Sequence, residues 1–194
     1  MQIDEQDLFD EEPKVEKNSI GREILSILIY TGVIIGLTWL ILTFVGQRTM
    51  VDGNSMYPTL YNGDNLLVDK LSYRFKPIER FDIIVFEYPH DKDTHYIKRV
   101  IGLPGETVQI VDGKIYINGE VLDENYGYET MRDAKRAAEP VTLGEDEYFV
   151  LGDNRNDSSD SRSDLVGNVK KSQIVGKAFV RIYPFNRICI LKHQ

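Results

Sequence analysis

Polar and apolar positions fall into three successive patterns. Residues 1–23 are polar and show no apolar period. From Ile24 to Val45 runs an uncharged stretch, ILSILIYTGVIIGLTWLILTFV, which as a helix would span about 33 Å, the hydrocarbon thickness of a bilayer. It is longer than the apolar part of a cleavable secretory signal, follows an acidic rather than a basic end, and lacks an Ala-x-Ala-like site, so it reads as a permanent transmembrane anchor. After Arg48 the pattern changes to short β-type runs divided by Gly, Pro, Asn and Asp, which predicts a mainly β, antiparallel domain. The expected strands are Asn65–Asp69, Asp82–Tyr88, Tyr96–Gly102, Thr107–Val111, Lys114–Ile117, Tyr148–Leu151 and Gly176–Tyr183. Asp112-Gly113 and Asn118-Gly119 sit between β-branched and aromatic runs and predict tight hairpin turns. They suggest a small β lobe, residues 107–147, inserted in the main sheet. Within it, residues 123–144 are rich in charge, with a short helix or a loop expected around Met131–Ala138. The expected organisation is an acidic tail (1–23), the anchor (24–45) and a β domain (46–194).

Charge adds an orientation. The chain carries a net charge of −8, with no basic stripe, which argues against nucleic acid as a partner. The acids concentrate in residues 1–23, which read as a solvated, disordered tail. Counting only Lys and Arg, Lys14, Lys17 and Arg22 precede the apolar run while Arg48 stands alone after it, so the N-terminus is expected in the cytoplasm and the β domain outside. A single cysteine, Cys189, excludes an intrachain disulfide and reads as a buried residue of a last strand. The three histidines and one cysteine show no ligand spacing, so neither metal nor cofactor is expected.

Candidate chemistry lies in three segments. Val51-Asp52-Gly53-Asn54-Ser55-Met56-Tyr57-Pro58-Thr59-Leu60 follows the anchor so closely that Ser55 must lie within about 36 Å of Val45. Taken alone, it is a loop with a turn hydroxyl. Tyr96-Ile97-Lys98-Arg99-Val100-Ile101-Gly102 places a lysine in an apolar strand, where it shares a face with Tyr96 and Val100 under strict alternation. Leu151-Gly152-Asp153-Asn154-Arg155-Asn156-Asp157-Ser158-Ser159-Asp160-Ser161-Arg162 is a polar run after a core strand, and by itself describes a solvated turn.

In order and content these segments, with Phe81–Phe86 and Ile174–Ala178, resemble the motif blocks of the bacterial type I signal peptidases. The resemblance implies a membrane-bound serine endopeptidase with a signal peptidase and self-cleaving-repressor type of β fold. Ser55 would be the nucleophile and neutral Lys98 the general base. In that family the serine at the position of Ser158 hydrogen-bonds the lysine, Asp160 and Arg162 support the loop, and Asp153 pairs with Arg99. A free lysine titrates near pH ~10.4, leaving about one molecule in a thousand neutral at pH 7.4, so Lys98 must be desolvated. Substrates would be exported preproteins cut after Ala-x-Ala-like sequences, in the lipid bilayer's vicinity and close to the secretion translocon. Two departures stand out. Gly53 replaces a serine that supplies an oxyanion donor in some relatives, leaving backbone or solvent to complete that site. Phe81 stands where glycine is frequent, with an effect expected on packing only.

Other readings place the chemistry elsewhere. A self-cleaving repressor domain shares the dyad, but this chain has no DNA-binding region. A histidine-based hydrolase would need His90, His95 or His193, each expected in a loop or terminus with no matching nucleophile elbow. A membrane-tethered β module that only binds peptides would show no turnover.

Overall fold

The chain forms two compact units, residues 1–41 and 42–194, and the computed structural model describes residues 17–44 and 46–191 of them. Most of the expected acidic tail, Val45 and His193 lie outside the described residues.

Helix α1 covers Lys17–Phe44, all but its last three residues in the first unit, so it begins inside the segment expected to be a tail. Its apolar window, Ile20–Trp39, is long enough to cross a membrane. The described residues from Ile20 to Trp39 are all exposed. A helix apolar on all its faces has the length and composition of a membrane span.

The second unit is built of strands: β1 (Gly46–Met50), β2 (Asn65–Asp69), β3 (Ile83–Tyr88), β4 (Asp91–Gly102), β5 (Thr107–Val111), β6 (Lys114–Ile117), β7 (Glu120–Val121), β8 (Val141–Thr142), β9 (Glu147–Leu151), β10 (Val169–Lys170), β11 (Ile174–Tyr183) and β12 (Cys189–Ile190). The larger sheet runs β1-β2-β11-β3-β4-β9-β10, with β12 paired to β11; a smaller sheet runs β7-β6-β5-β8. Every pairing is antiparallel. The hairpins of the smaller sheet turn at Asp112-Gly113 and Asn118-Gly119, all four residues having positive φ as such two-residue turns require. The expected short helix near Met131–Ala138 is a single 3-10 turn, Lys135–Ala138.

Alternation along β3 and β4 sorts the core. Ile83, Val85 and Ile97 pack with Val51, Met56, Leu60, Leu66, Val68 and Ala178, while Ile84, Phe86, Val100, Tyr148, Val150 and Val169 form a second cluster. A third, around Ile101, Val108, Ile110, Phe149 and Leu151, joins the smaller sheet to the larger. Met56 and Leu60 are fully buried, and the Leu60 N–H donates to the Met56 carbonyl at 2.9 Å. Two apolar plugs four residues apart thereby fix the turn that begins at Ser55.

Some expectations are corrected. Cys189 is half-buried rather than buried, and its Sγ accepts from Arg181 Nη2 at 3.2 Å. His95 lies within β4, not in a loop, because β4 starts at Asp91 rather than Tyr96. Phe81 affects more than packing. It sits at φ 72°, a left-handed conformation that a bulky side chain rarely adopts and glycine adopts freely. Its ring leans on Tyr126 at 5.1 Å, its N–H donates to the Val100 carbonyl, and its own carbonyl accepts from Arg99 Nη1.

Candidate active site

Three loops or strands converge on Ser55. The loop 51–64 is closed by the Val51 N–H donating to the Asp64 carbonyl and by the Gly63 N–H donating to the Val51 carbonyl. Gly53, at φ 93°, makes the bend before the serine, and its N–H is taken up by Asn62 Oδ1 at 3.1 Å. The Ser55 carbonyl accepts from the Asn154 N–H at 3.0 Å, and Asn154 Nδ2 donates to the Asn54 carbonyl at 3.2 Å. No described group accepts from the Ser55 N–H.

Lys98 reaches the same point from β4, where it stands opposite the fully buried Ile84. Its side chain is only 4% exposed, and Nζ lies 2.8 Å from Ser55 Oγ and 3.0 Å from the Ile97 carbonyl. The Tyr96 ring is 5.1 Å from Nζ. Desolvation lowers the Lys98 pKa from 10.5 to about 8, against the opposing pull of Asp160 and Asp153. At pH 7.4 roughly one lysine in five is then neutral.

Beneath the dyad lies a charged scaffold. Arg99 forms a bidentate pair with Asp153, at 2.8 and 2.6 Å, with both side chains essentially inaccessible. The Arg99 guanidinium also lies 3.7 Å from the centre of the Tyr126 ring. Asp153 Oδ2 accepts from the Thr59 hydroxyl at 2.6 Å, which ties the scaffold to the serine loop. Arg162 grips Asp160 at 2.8 and 2.9 Å, and Asp160 Oδ2 accepts from the Gly152 N–H. Buried charges left unpaired would be costly, so each of these pairs fixes the register of its loop.

Ser158 departs from expectation. Its Oγ is buried and has no hydrogen-bond partner, so it makes no bond to Lys98 here. Lys98 instead uses the Ile97 carbonyl, which the local strand geometry supplies. Gly152 explains the tightness of this corner. A Cβ added there would stand 2.3 Å from Ser158 Oγ and 2.4 Å from the Ser55 carbonyl oxygen.

Several contributors had no sequence signal. Asp64, fully buried, accepts from Arg181 Nη1 at 3.1 Å and Arg187 Nη2 at 2.8 Å, and Arg181 Nη1 also donates to the Thr59 carbonyl. The last strands are thus fastened to the serine loop. Arg155 pairs with Glu124 through two contacts of 2.6 Å and binds the Gly152 carbonyl.

A cleft of about 370 Å³ opens at the dyad, walled by Thr49–Met56 on one side and Thr94–Lys98 on the other, with Asp157 and Ser159 at one end. β1 is an edge strand, and β4 pairs with β9 only from Arg99 onward. Both walls therefore offer unpaired backbone to an extended peptide. His95 belongs to the wall and is exposed; His90 is exposed beside Tyr88. Among the described residues no cluster of His, Cys, Asp and Glu could hold a metal ion.

A serine hydroxyl at a buried lysine, in a peptide-sized cleft on a β scaffold, defines a protease-like site. Residues 24–183 match the family described as signal peptidase, peptidase S26. A probable signal peptidase I-2 of Synechocystis sp. is 43% identical over 157 residues, 77% of this chain and 68% of that protein. The signal peptidase I P of Bacillus subtilis subsp. natto is 36% identical over 190 residues, 93% and 98% of the two chains. A solved signal peptidase I from Enterococcus faecalis is 38% identical, with a TM-score of 0.45 over 53% of this chain and 97% of its own. The chain belongs to the signal peptidase family, peptidase S26.

Proposed function

We propose that this signal peptidase works as a membrane-bound Ser/Lys protease, with Ser55 as nucleophile and neutral Lys98 as general base. The observation that carries the reading is the 2.8 Å approach of Lys98 Nζ, dehydrated by its burial, to Ser55 Oγ. Neutral Nζ takes the hydroxyl proton as Oγ attacks the scissile carbonyl carbon, and later delivers it to the leaving amine. The Ile97 carbonyl holds the amine in place through that cycle. Water then attacks the acyl carbon, giving its proton to Lys98, and as the bond from that carbon to Oγ breaks Lys98 returns the proton to Ser55 Oγ.

The developing oxyanion is held by the Ser55 N–H, with a backbone or solvent donor beside it, since Gly53 offers no hydroxyl. Arg99, Asp153, Asp160 and Arg162 position the two loops that carry the dyad, and Ser158 lines the lysine's pocket. The preprotein enters as an added strand between residues 49–53 and 94–97. Because Val51, Met56 and Ile97 already fill the cleft floor, only small side chains such as those of an Ala-x-Ala pattern fit beneath it. α1 is the anchor, with the N-terminus cytoplasmic and the β unit on the outer face near the translocon. Enzyme and signal peptide then share one bilayer, which raises their effective concentration.

The test is cleavage of a preprotein by the purified full-length chain, read by mass spectrometry. Unaltered protein should cut after a small residue, and Ser55→Ala and Lys98→Ala should each abolish turnover. Cleavage that survives either change would end the assignment.

A further inference from the structure

Attack of Ser55 on a carbonyl moves an electron pair onto the carbonyl oxygen, and that oxygen is stabilised by hydrogen-bond donors fixed in advance. One donor is built into the nucleophile's own residue. The Asn54 carbonyl accepts from the Tyr57 N–H at 3.1 Å and from Asn154 Nδ2 at 3.2 Å, and neither Tyr57 nor Asn154 lines the cleft. In a trans peptide the N–H points opposite to the carbonyl of the residue before it. The Ser55 N–H is therefore turned away from those two groups, toward the cleft, and no described group accepts from it.

A second donor has to come from the side chains around that point. Gly53 has none, and at φ 93° its backbone takes a path that a serine would follow only under strain. His95 and Thr94 lie on β4 upstream of Lys98, with about 10 Å or more of strand between them and the dyad lysine, and the Thr94 hydroxyl is already bound to Asp91 at 2.7 Å. Thr49 belongs to β1, before the bend that Gly53 makes. Asn54 adjoins the nucleophile, is exposed and lines the cleft, and its side-chain amide has no partner among the described residues. A Cβ at Gly53 would meet nothing within 4 Å, so the space beside that amide is open. Only a few covalent bonds separate Asn54 Nδ2 from the Ser55 N–H, and both can donate to one oxygen at ordinary hydrogen-bond distance. Ser159, the other unbonded hydroxyl of the cleft, comes from the loop after β9 and is the rival donor.

We propose that the Asn54 side-chain amide is the second oxyanion donor, in preference to solvent, so that the residue before the nucleophile supplies what Gly53 lacks. As the bond from Oγ to the scissile carbon forms, the carbonyl's electron pair passes to its oxygen, which accepts from the Ser55 N–H and from Asn54 Nδ2. When the carbon–nitrogen bond breaks, the pair returns to the carbonyl and Lys98 hands its proton to the leaving amine. The proposal deepens the Ser/Lys reading and rests on it.

The test is steady-state cleavage of a preprotein by the full-length enzyme in detergent micelles, comparing wild type with Asn54→Ala and the near-isosteric Asn54→Asp, which cannot donate when ionised. Asn54→Ala should lower kcat by about a hundredfold with KM within about twofold. Asn54→Asp should lower it further, and the pH limb set by Lys98 should stay in place in both. A peptide aldehyde, which adds to Ser55 as a tetrahedral adduct, should lose affinity for Asn54→Ala by the same factor as kcat/KM. The cleaved peptide, with no tetrahedral centre, should bind as it does to wild type. A kcat within about threefold of wild type in Asn54→Ala, or equal losses for aldehyde and cleaved peptide, would overturn the proposal. So would a loss of about a hundredfold in Ser159→Ala beside a near-normal Asn54→Ala. Ser55→Ala and Lys98→Ala keep the two claims apart. If either still cleaves, the Ser/Lys reading falls and this proposal with it; if both are inactive while Asn54→Ala cleaves normally, only this proposal falls.

Discussion

Lys98→Met replaces a buried amine by an apolar chain of similar length, and its effect on stability follows from the same dehydration that is proposed to serve catalysis. Lowering the lysine from 10.5 to about 8 corresponds to about 3 kcal/mol of penalty on the charged form. Below pH 8 folded and unfolded chains both carry the ammonium, so the folded state bears the whole penalty. Between 8 and 10.5 only the unfolded chain remains protonated, and wild-type stability rises with pH. Above 10.5 neither form is charged and the penalty is gone. The methionine variant lacks this titration, but loses the contacts to Ser55 Oγ and the Ile97 carbonyl, worth about 1 kcal/mol each. It should therefore be about 1 kcal/mol more stable than wild type at pH 6.5 and about 2 kcal/mol less stable at pH 11. Urea unfolding of both full-length proteins in detergent micelles measures this, since other titrating groups cancel in the difference and equal slopes verify equal exposure on unfolding. A difference that stays constant across that pH range would show that Lys98 is not dehydrated, and the reasoning would fail.

Other substitutions probe the scaffold. Gly152→Ala should lower kcat by at least about a hundredfold, since the new methyl displaces the Ser55 carbonyl or Ser158 and a misplacement of about 1 Å has that effect; steady-state kinetics on a folded, purified variant decides it. Asp153→Asn leaves the Arg99 charge buried without its carboxylate and should destabilise the β unit by about 3 kcal/mol or more, measured by chemical denaturation. Phe81→Gly releases about 1 kcal/mol of left-handed strain but loses the ring contact with Tyr126. Phe81→Ala keeps the strain and loses the ring, so in thermal melts it should be the less stable of the two.

Much of the architecture was legible because the apolar code was strong. The 22-residue apolar run and the seven expected strands have long apolar or alternating runs, and the helix and all seven strands are present within a few residues. The missed strands lack such runs. β1, Gly46–Met50, is a half-exposed polar edge, while β7, β8, β10 and β12 are only two residues each and exist through their partners. The polar start of β4, Asp91–His95, is held by its hairpin with β3 rather than by burial. At the site, Ser55 and Lys98 stood out through the motif blocks, and the structure brings them together. The ties of Arg181 and Arg187 to Asp64 span 117 and 123 residues, and no local pattern encodes such a contact. The bond expected between Ser158 and Lys98 is not made, because the amine is satisfied within its own strand by the Ile97 carbonyl.

The most direct test of a neutral lysine base is the pH dependence of kcat/KM for preprotein cleavage, which reports the free enzyme's essential groups. The rate should fall tenfold per pH unit below about 8, the value to which burial brings Lys98, and level off above it. A profile flat from about pH 6 to 9, or a limb near the unperturbed histidine value of about 6.5 that moves on His95→Ala, would contradict the account.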